Sequence, residues 1–337
     1  MKVYAIDAYK APVTLYLLPE PVPGPGEVVI AIAAASVNPI DVKVRSGAFK
    51  AILPYDMPLV LGHDLAGIVI AAGSGTSRFK VGDAVFACAG GDRIGTFAQQ
   101  IAIAEKDIAS KPASLGMAEA AALPLVALTA WQVLVERAQL RPGRRVLVHA
   151  GSGGVGTLAI QLAKHLGAHV ATTVGTANVE LAKSLGADVV VDYHKEAFER
   201  KLTGYDVVLH MLDADVLERS LKVLKPGGKL ISISGPPDPA FAAEIGANWI
   251  VRQVMRLASM KIRRKARQHG IDYSFLFMRP DGGQLGEIAK LVDAGVIRPV
   301  IDNEFAFDQT SAALDRSASG RARGKVVIRI APEIAPS

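Results

Sequence analysis

Three glycines at fixed spacing carry the strongest chemical signal in this chain: Gly151, Gly153 and Gly156 of Val146-Leu147-Val148-His149-Ala150-Gly151-Ser152-Gly153-Gly154-Val155-Gly156. An apolar, β-prone run precedes them and a stretch of helical composition, Val155 to Leu166, follows, so they sit where a strand turns into a helix. In that context the first glycine makes a tight turn, the second lets backbone approach a pyrophosphate, and the third lets helix pack on strand. The free N–H groups of the helix N-terminus then face the phosphates. Ser152, Gly154 and Val155 complete the turn, and a dinucleotide site is expected. The kind of dinucleotide is read about 20 residues on, where a carboxylate would bind a ribose 2′-hydroxyl. Ala171 to Asn178 contains no Asp or Glu, while Thr173, Gly175 and Thr176 offer hydroxyl and backbone donors. A 2′-phosphate is tolerated there, so NADPH is the expected cofactor.

The elements that must position this turn follow from composition and pattern. With 337 residues, half of them hydrophobic, the chain can hold two core-bearing domains. Charged residues at 21% and 32 glycines describe a soluble α/β protein, not a disordered or collagen-like one. A net charge of +6 favours anionic ligands such as dinucleotide phosphates. The single cysteine, Cys88, excludes an intrachain disulfide and a multi-cysteine zinc cluster and fits a reducing compartment. The N-terminus enters strand-like alternation at once, so no secretory signal is expected. The longest apolar stretch, Ala120 to Val135, is broken by Pro124, Thr129 and Gln132 and falls short of the ~20 residues of a bilayer span. A cytoplasmic protein is expected.

Short β-prone runs, Thr14 to Leu18, Glu27 to Ala33, Leu65 to Ala71, Ala84 to Cys88 and Phe97 to Ile103, alternate with Pro- and Gly-rich turns, among them Gly90-Gly91. They predict a mostly antiparallel β domain. Ala118 to Arg137 has helical composition. Thereafter strands at Val146 to Val148, His169 to Val174, Val189 to Val191, Val207 to His210 and Leu230 to Ile233 alternate with helices. The helices are expected at Val155 to Leu166, stopped by Gly167, and near Asn178 to Leu185, Lys195 to Leu202 and Val216 to Leu224. Continuous apolar strands between helices mean a parallel sheet covered on both faces.

Several segments in this order resemble the zinc-free quinone oxidoreductase or zeta-crystallin branch of the medium-chain dehydrogenase/reductase superfamily, over nearly the whole chain. They are Val37-Asn38-Pro39-Ile40-Asp41 with Arg45-Ser46-Gly47, Leu61-Gly62-His63-Asp64-Leu65-Ala66-Gly67, Val81-Gly82-Asp83-Ala84-Val85, Ala120-Ala121-Ala122-Leu123-Pro124 with Leu128-Thr129-Ala130, and Gly324-Lys325-Val326-Val327-Ile328. The resemblance implies a GroES-like β domain at 1–125, a Rossmann NADP-binding domain with a doubly wound parallel sheet at 126–270, and a return to the first domain at 271–337. It further implies a nicotinamide in the cleft between them and a homodimer. It places Asn38 and Thr129 near the nicotinamide, Ser152 to Val155 at the pyrophosphate, and Gly175, Thr176 and Tyr193 around the adenosine phosphate. Leu212, Ile233, Ser234, Leu276 and Phe277 are placed along the cofactor cleft. Many of these reductases carry a lysine for the 2′-phosphate where this chain has Val179. Tyr193, Lys195, Arg321 or Arg323 are the donors left to replace it.

His63-Asp64 is similar to the Gly-His-Glu of zinc alcohol dehydrogenases, whose catalytic metal takes three N, S or O ligands. Asn38 stands where the zinc branch has a cysteine, Leu125 to Ala130 supplies no thiolate, and eleven residues between Asp83 and Gly95 are too few for a four-cysteine lobe. No metal is expected. His63 then reads as a hydrogen-bonded residue behind the active site and Cys88 as a small buried hydrophobe. Hydride chemistry belongs to the cofactor, and without a metal the acceptor must be polarised by hydrogen bonds, which suits quinones and α,β-unsaturated carbonyls. Tyr55, in Leu53-Pro54-Tyr55-Asp56, is the candidate proton donor, with an ordinary loop tyrosine as the other reading. Asp41 is expected to orient Asn38 or Arg45.

Phe241 to Arg267 interleaves Trp249, Ile250, Val254, Leu257 and Met260 with seven Lys and Arg at 252–267. Helical spacing predicts a core or dimer-edge helix with a solvated basic face. A sharper alternative is an NADPH-binding sensor or interaction protein without turnover, touching nucleic acid or an acidic membrane through this segment. In the preferred reading the partner is a small molecule, with no nucleic acid or membrane.

Overall fold

The computed structural model describes residues 1–50, 54–90 and 93–330; Leu53 and Gly91 lie outside them. From the amino terminus come β1 (Lys2–Ile6), β2 (Thr14–Leu17), β3 (Glu27–Val37), α1 (Pro39–Arg45), β4 (Leu59–Val60), β5 (Asp64–Ala72), β6 (Ala84–Cys88), β7 (Gln100–Ala104) and β8 (Ile108–Ser110). β3 runs four residues past the expected Ala33, because the small side chains of Ala33 to Ala35 fit a strand buried on both faces. The Phe97 to Ile103 run becomes strand only from Gln100.

The helical stretch after Gly116 is not continuous. Pro124 has no N–H to give an intrahelical bond, and α2 (Met117–Ala121) stops before it. α3 (Pro124–Trp131) starts at that proline and passes into a π-helical turn, Gln132–Arg137, closed by the Ala138 N–H on the Val133 carbonyl.

Strand and helix then alternate: β9 (Arg145–Val148), α4 (Gly154–His165), β10 (His169–Val174), α5 (Val179–Ser184), β11 (Val189–Asp192), α6 (Phe198–Lys201), β12 (Tyr205–His210), α7 (Ala214–Ser220), β13 (Leu224–Ser232), α8 (Pro239–Glu244), α9 (Trp249–Ala258), α10 (Met260–Gln268) and β14 (Asp272–Phe275). Gly167, at φ +76°, ends the turn after α4 as its sequence position predicts. Two expected helices are shorter: only Phe198–Lys201 forms from the 195–202 segment, and Leu224, assigned to a helix, begins β13. β13 also ends one residue before Ile233. The single helix expected over Phe241 to Arg267 is three, interrupted at Gly246 (φ +62°), which favours leaving the helix, and at Ser259.

The chain returns through α11 (Gly282–Asp293), β15 (Ile301–Ala306), α12 (Thr310–Ala318) and β16 (Lys325–Arg329). Two compact units result, Met1–Leu128 with Arg279–Ser337, and Thr129–Met278. Among the described residues of the first, a seven-stranded sheet runs β15-β16-β3-β5-β6-β8 with β7 on β3, and a small sheet runs β2-β1-β4. Pairing is antiparallel except between β15 and β16. Val28, Ile30, Ile32, Leu65, Val69 and Val85 form one core of this unit, and Ile6, Val37, Leu61, Phe97 and Ile328 belong to another. The second unit is a parallel sheet of order β11-β10-β9-β12-β13-β14, cored by Leu147, Ala171, Val191, Tyr205, Val208 and Leu230. Strand order reverses between β9 and β12, which is where ligands bind in open α/β sheets. No helix among the described residues is long and apolar enough to cross a membrane.

Candidate functional site

The turn from β9 into α4 lies at that reversal. Ala150 adopts φ +49°, uncommon for a residue with a Cβ, and the backbone is held there by Gly151 N–H on the Thr173 carbonyl (3.1 Å) and Gly153 N–H on the Ala150 carbonyl (2.9 Å). The three glycines differ in what surrounds them. A Cβ on Gly151 would lie 2.0 Å from the Thr172 hydroxyl oxygen, and one on Gly156 2.2 Å from the Ala150 carbonyl, so protein fills both positions. A Cβ on Gly153 would meet only the Ala150 carbonyl, at 3.4 Å. Gly153 is the N-cap of α4, whose first N–H groups have no acceptor within the helix. An open position backed by free amides is what a diphosphate requires.

Thr173 does not serve as a free donor. It is buried, and its hydroxyl sits 3.1 Å from His149 Nδ1 and accepts from the Ala150 N–H (3.3 Å), so it holds the turn. Around the next strand ends the structure gathers the other expected residues. The Asn178 amide donates to Ser152 (3.1 Å), a Cβ on Gly175 would be 3.1 Å from the Tyr193 hydroxyl, and Tyr193 is exposed. Parallel pairing of Val174 with Asp192 also brings a carboxylate that distance along the chain conceals. Asp192 accepts from the Thr176 hydroxyl (2.6 Å) and the His194 N–H (3.1 Å), and Lys195 lies 3.4 Å away. The Thr176 bond above all holds its carboxyl below the usual range. Lys195 is thus already paired, while Arg323 donates its N–H to Asp302 and the Arg321 carbonyl accepts from Arg316 in the other unit.

The carboxyl ends of β12, β13 and β14 bring together Leu212, Ile233, Ser234 and Leu276. Ser234 donates to the Leu212 carbonyl (2.8 Å), Ile233 N–H to His210 (3.0 Å) and Leu276 N–H to Ser232 (2.9 Å). Leu276 is buried, and Phe277 packs beside Phe241. Thr129, buried in α3, belongs to this unit.

In the other unit two of the candidate catalytic residues, Asn38 and Asp41, belong to one buried polar network, which the Tyr55 N–H, turned to Tyr9, does not join. Asn38 caps α1, its N–H donates to Asp41 Oδ2 (2.7 Å), and Asp41 Oδ1 lies 2.5 Å from His63 Nδ1. Asp41 therefore orients Asn38, as expected, and His63; Arg45 turns instead to the Ala11 carbonyl (3.0 Å). Asp64 Oδ2 accepts from Ser36 (2.9 Å), Asn38 Nδ2 (2.8 Å) and Lys325 Nζ (3.0 Å), and Oδ1 from the Leu125 N–H (2.7 Å). Lys325 also donates to Asn38 Oδ1. Asn38, Asp41 and Asp64 are fully buried. Sequence reasoning missed Lys325 as part of this site; its one signal is a lysine heading an apolar strand. Tyr55 is half-buried, its N–H 3.4 Å from the Tyr9 hydroxyl. Cys88 is buried, and burial pushes its thiol well up. Among the described residues no three His, Cys, Asp or Glu are grouped to hold a metal ion.

Comparison with known proteins agrees with this architecture. Residues 24–113 match the alcohol dehydrogenase GroES-like domain and residues 185–328 the zinc-binding dehydrogenase domain. The chain is 34% identical over 330 residues to the mitochondrial NAD(P)H oxidoreductase RTN4IP1 of Danio rerio, covering 91% of this chain and 84% of the other. It is 37% identical to a 2-methylene-furan-3-one reductase of Solanum lycopersicum, covering 91% and 72%. The quinone oxidoreductase structure from Coxiella burnetii superposes with a TM-score of 0.83 at 30% identity, covering 98% and 99%. With both domains matched and the glycine turn in place, the chain belongs to the quinone oxidoreductase group of the medium-chain dehydrogenase/reductase superfamily.

Proposed function

We propose that this protein is an NADPH-dependent reductase of quinones and α,β-unsaturated carbonyls that works without a metal ion. The observation that carries the reading is the open Gly153 position at the N-terminus of α4, between two glycines whose space is filled by protein. A bound nicotinamide dinucleotide would supply the hydride. The amides of Gly154 to Gly156 would hold its pyrophosphate, with Ser152 beside them, and Gly175, Thr176 and Tyr193 would line its adenosine end.

The metal-free reading rests on how the donors are spent. Asp64 accepts four hydrogen bonds and so has little left to offer a metal, and Asn38 and Leu125 to Ala130 supply no thiolate to join His63. Asn38, with its amide fixed at both ends, and Thr129 are assigned to positioning the ring, Asp41 to positioning Asn38, and Tyr55 to proton donation. NADPH is preferred over NADH because Asp192 is engaged by Thr176 and His194 and is not left to select a 2′-hydroxyl. The proposal keeps a reducing, cytoplasmic setting and a homodimer, the latter checked by mass in solution. Steady-state assays with NADPH or NADH against a water-soluble quinone and an enone test the reaction. Turnover with neither acceptor would remove it.

A further inference from the structure

The three helices between β13 and β14 leave the carboxyl edge of the sheet, the edge that carries the glycine turn, and return to the amino end of β14. They divide their work unevenly. α10 packs Ile262 and Ala266 into the core, and α8 packs Phe241 and Ala242 against Phe275. α9 buries Met255 and half-buries Val251 on that cluster and turns its broad apolar side outward. Trp249 is 73% exposed, Ile250 56%, Val254 60% and Leu257 65%, and Met260, at the start of α10, 59%. Ile250, Val254 and Leu257 recur at helical spacing on one face. So wide an apolar ridge at the surface marks an interaction site.

Charge decides what covers it. From Trp249 to Gln268 there are seven cations, Arg252, Arg256, Lys261, Arg263, Arg264, Lys265 and Arg267, and no carboxylate. Glu218 pairs with Lys261 (2.8 Å) and Lys265 (2.5 Å). Arg256, Arg263, Arg264 and Arg267 have no carboxylate partner among the described residues, and Arg252 reaches only the Ala247 carbonyl (2.7 Å). A twofold pairing of this face with a second copy would bring the same basic patch against itself. Nucleic acid would use the cations and leave the ridge in water. An amphipathic helix with a Trp, Ile, Val and Leu face flanked by arginines fits the interface of an anionic bilayer, where apolar side chains enter the acyl boundary and cations meet lipid phosphates. We propose that α9 and the start of α10 dock this protein peripherally on anionic membranes. This takes up the membrane alternative in place of the preferred core or dimer-edge helix, and the reason is the outward turn of the apolar side.

The full chain is tested with NADPH present, by flotation with phosphatidylcholine vesicles with and without phosphatidylglycerol. Binding is expected only to the anionic vesicles, weakening as sodium chloride rises to about 0.5 M, with a blue shift of Trp249 fluorescence that Trp249→Phe removes. Arg256→Ala, Arg263→Ala and Arg264→Ala together should lower the partition coefficient on the order of a hundredfold, at about fivefold per cation. Trp249→Ser with Leu257→Ser should abolish binding. All these residues are exposed or half-buried, so melting temperature and turnover of a water-soluble quinone should be unchanged, which separates failure of this proposal from failure of the reductase reading. The proposal is overturned if the native chain ignores anionic vesicles at low salt, or if the serine pair binds them as well as the native chain. It is equally overturned if RNA, but not vesicles, is bound, or if the ridge proves to be a self-association surface that the serine pair dissolves.

Discussion

Substituting the second and third glycines of the turn separately asks whether the chain folds around a ligand or merely around itself. In Gly156→Ala the new methyl would fall 2.2 Å from the Ala150 carbonyl oxygen and 2.8 Å from the Gly151 Cα, contacts that only backbone movement relieves. Overpacking of this sort costs about 1–3 kcal/mol, and at roughly 2–4 °C per kcal/mol for a unit of this size the melting temperature should fall by roughly 2–12 °C. In Gly153→Ala the methyl has a single neighbour at 3.4 Å and φ is −84°, which alanine adopts freely. Only the weaker N-cap remains as a penalty, within about 1 kcal/mol. The same methyl stands where a pyrophosphate oxygen must approach the backbone, so NADPH affinity should drop at least about tenfold, equal to about 1.4 kcal/mol. Thermal melting without cofactor and titration calorimetry with NADPH give the two numbers independently. If Gly153→Ala binds NADPH with the native Kd, the phosphates do not lie on this turn and the functional proposal fails with it.

Removing Lys325 by Lys325→Met strands the Asp64 carboxylate and should cost about 3–5 kcal/mol in urea unfolding, because Lys325 and Asp64 are 4% and 0% exposed. The double variant with Asp64→Asn should recover part of that loss; a loss below about 1 kcal/mol in the single variant would show that water reaches the pair. Burial, chiefly, holds His149 down to about 3 and His210 to about 4. Both stay neutral in the folded protein and charge near 6.5 when unfolded. Their contribution is therefore complete above that pH and is lost as pH falls towards 4, by up to about 1.4 kcal/mol per pH unit for each. Urea midpoints between pH 7 and pH 5 should show this slope, and His149→Gln should roughly halve it; an unchanged slope would assign the acid sensitivity elsewhere. Val179→Lys, at the start of α5, should raise the ratio of kcat/KM for NADPH over NADH by about fivefold, the worth of one partly solvated charge-assisted bond. No change would place the 2′-phosphate away from α5.

What could be read from the sequence was what local chemistry determines. The strands β9, β10 and β12 each carry a short apolar stretch, Val146 to Val148, Val170-Ala171 and Val207 to Leu209, and their alternation with helices implies a parallel sheet. The glycine turn was legible for the same reason, since a strand, a turn and a helix start are contiguous. Pro124 was also visible, yet the helical composition on both sides of it hid the break between α2 and α3. Nonlocal pairing was not legible. Asp192 meets Thr176, proposed for the adenosine end, only through the register of β10 and β11, and Thr173 turned from donor to turn support because two nearer atoms claim its hydroxyl. The ridge on α9 shows the same limit: spacing identifies an apolar face but not which way the fold turns it.

The Asn38 network joins these points to the chemistry. His63 and Asp64 are adjacent in sequence and of metal-ligating type, so the residues alone leave a zinc site open. The metal-free proposal rests on how the Asp64 lone pairs are used: three donors converge on one oxygen and an amide on the other, drawn from β3, the N-cap of α1, β16 and the start of α3. Lys325 lies 261 residues beyond Asp64 and supplies a fixed positive charge at the place where a cation would otherwise be needed. A carboxylate so bonded contributes rigidity, and it holds the Asn38 amide in one orientation. A polar group immobilised in that way can fix the position of a neighbour without exchanging protons with it. The proton an acceptor takes up must come from a group that can release one, and for that reason proton donation is proposed for Tyr55 and only positioning for Asn38.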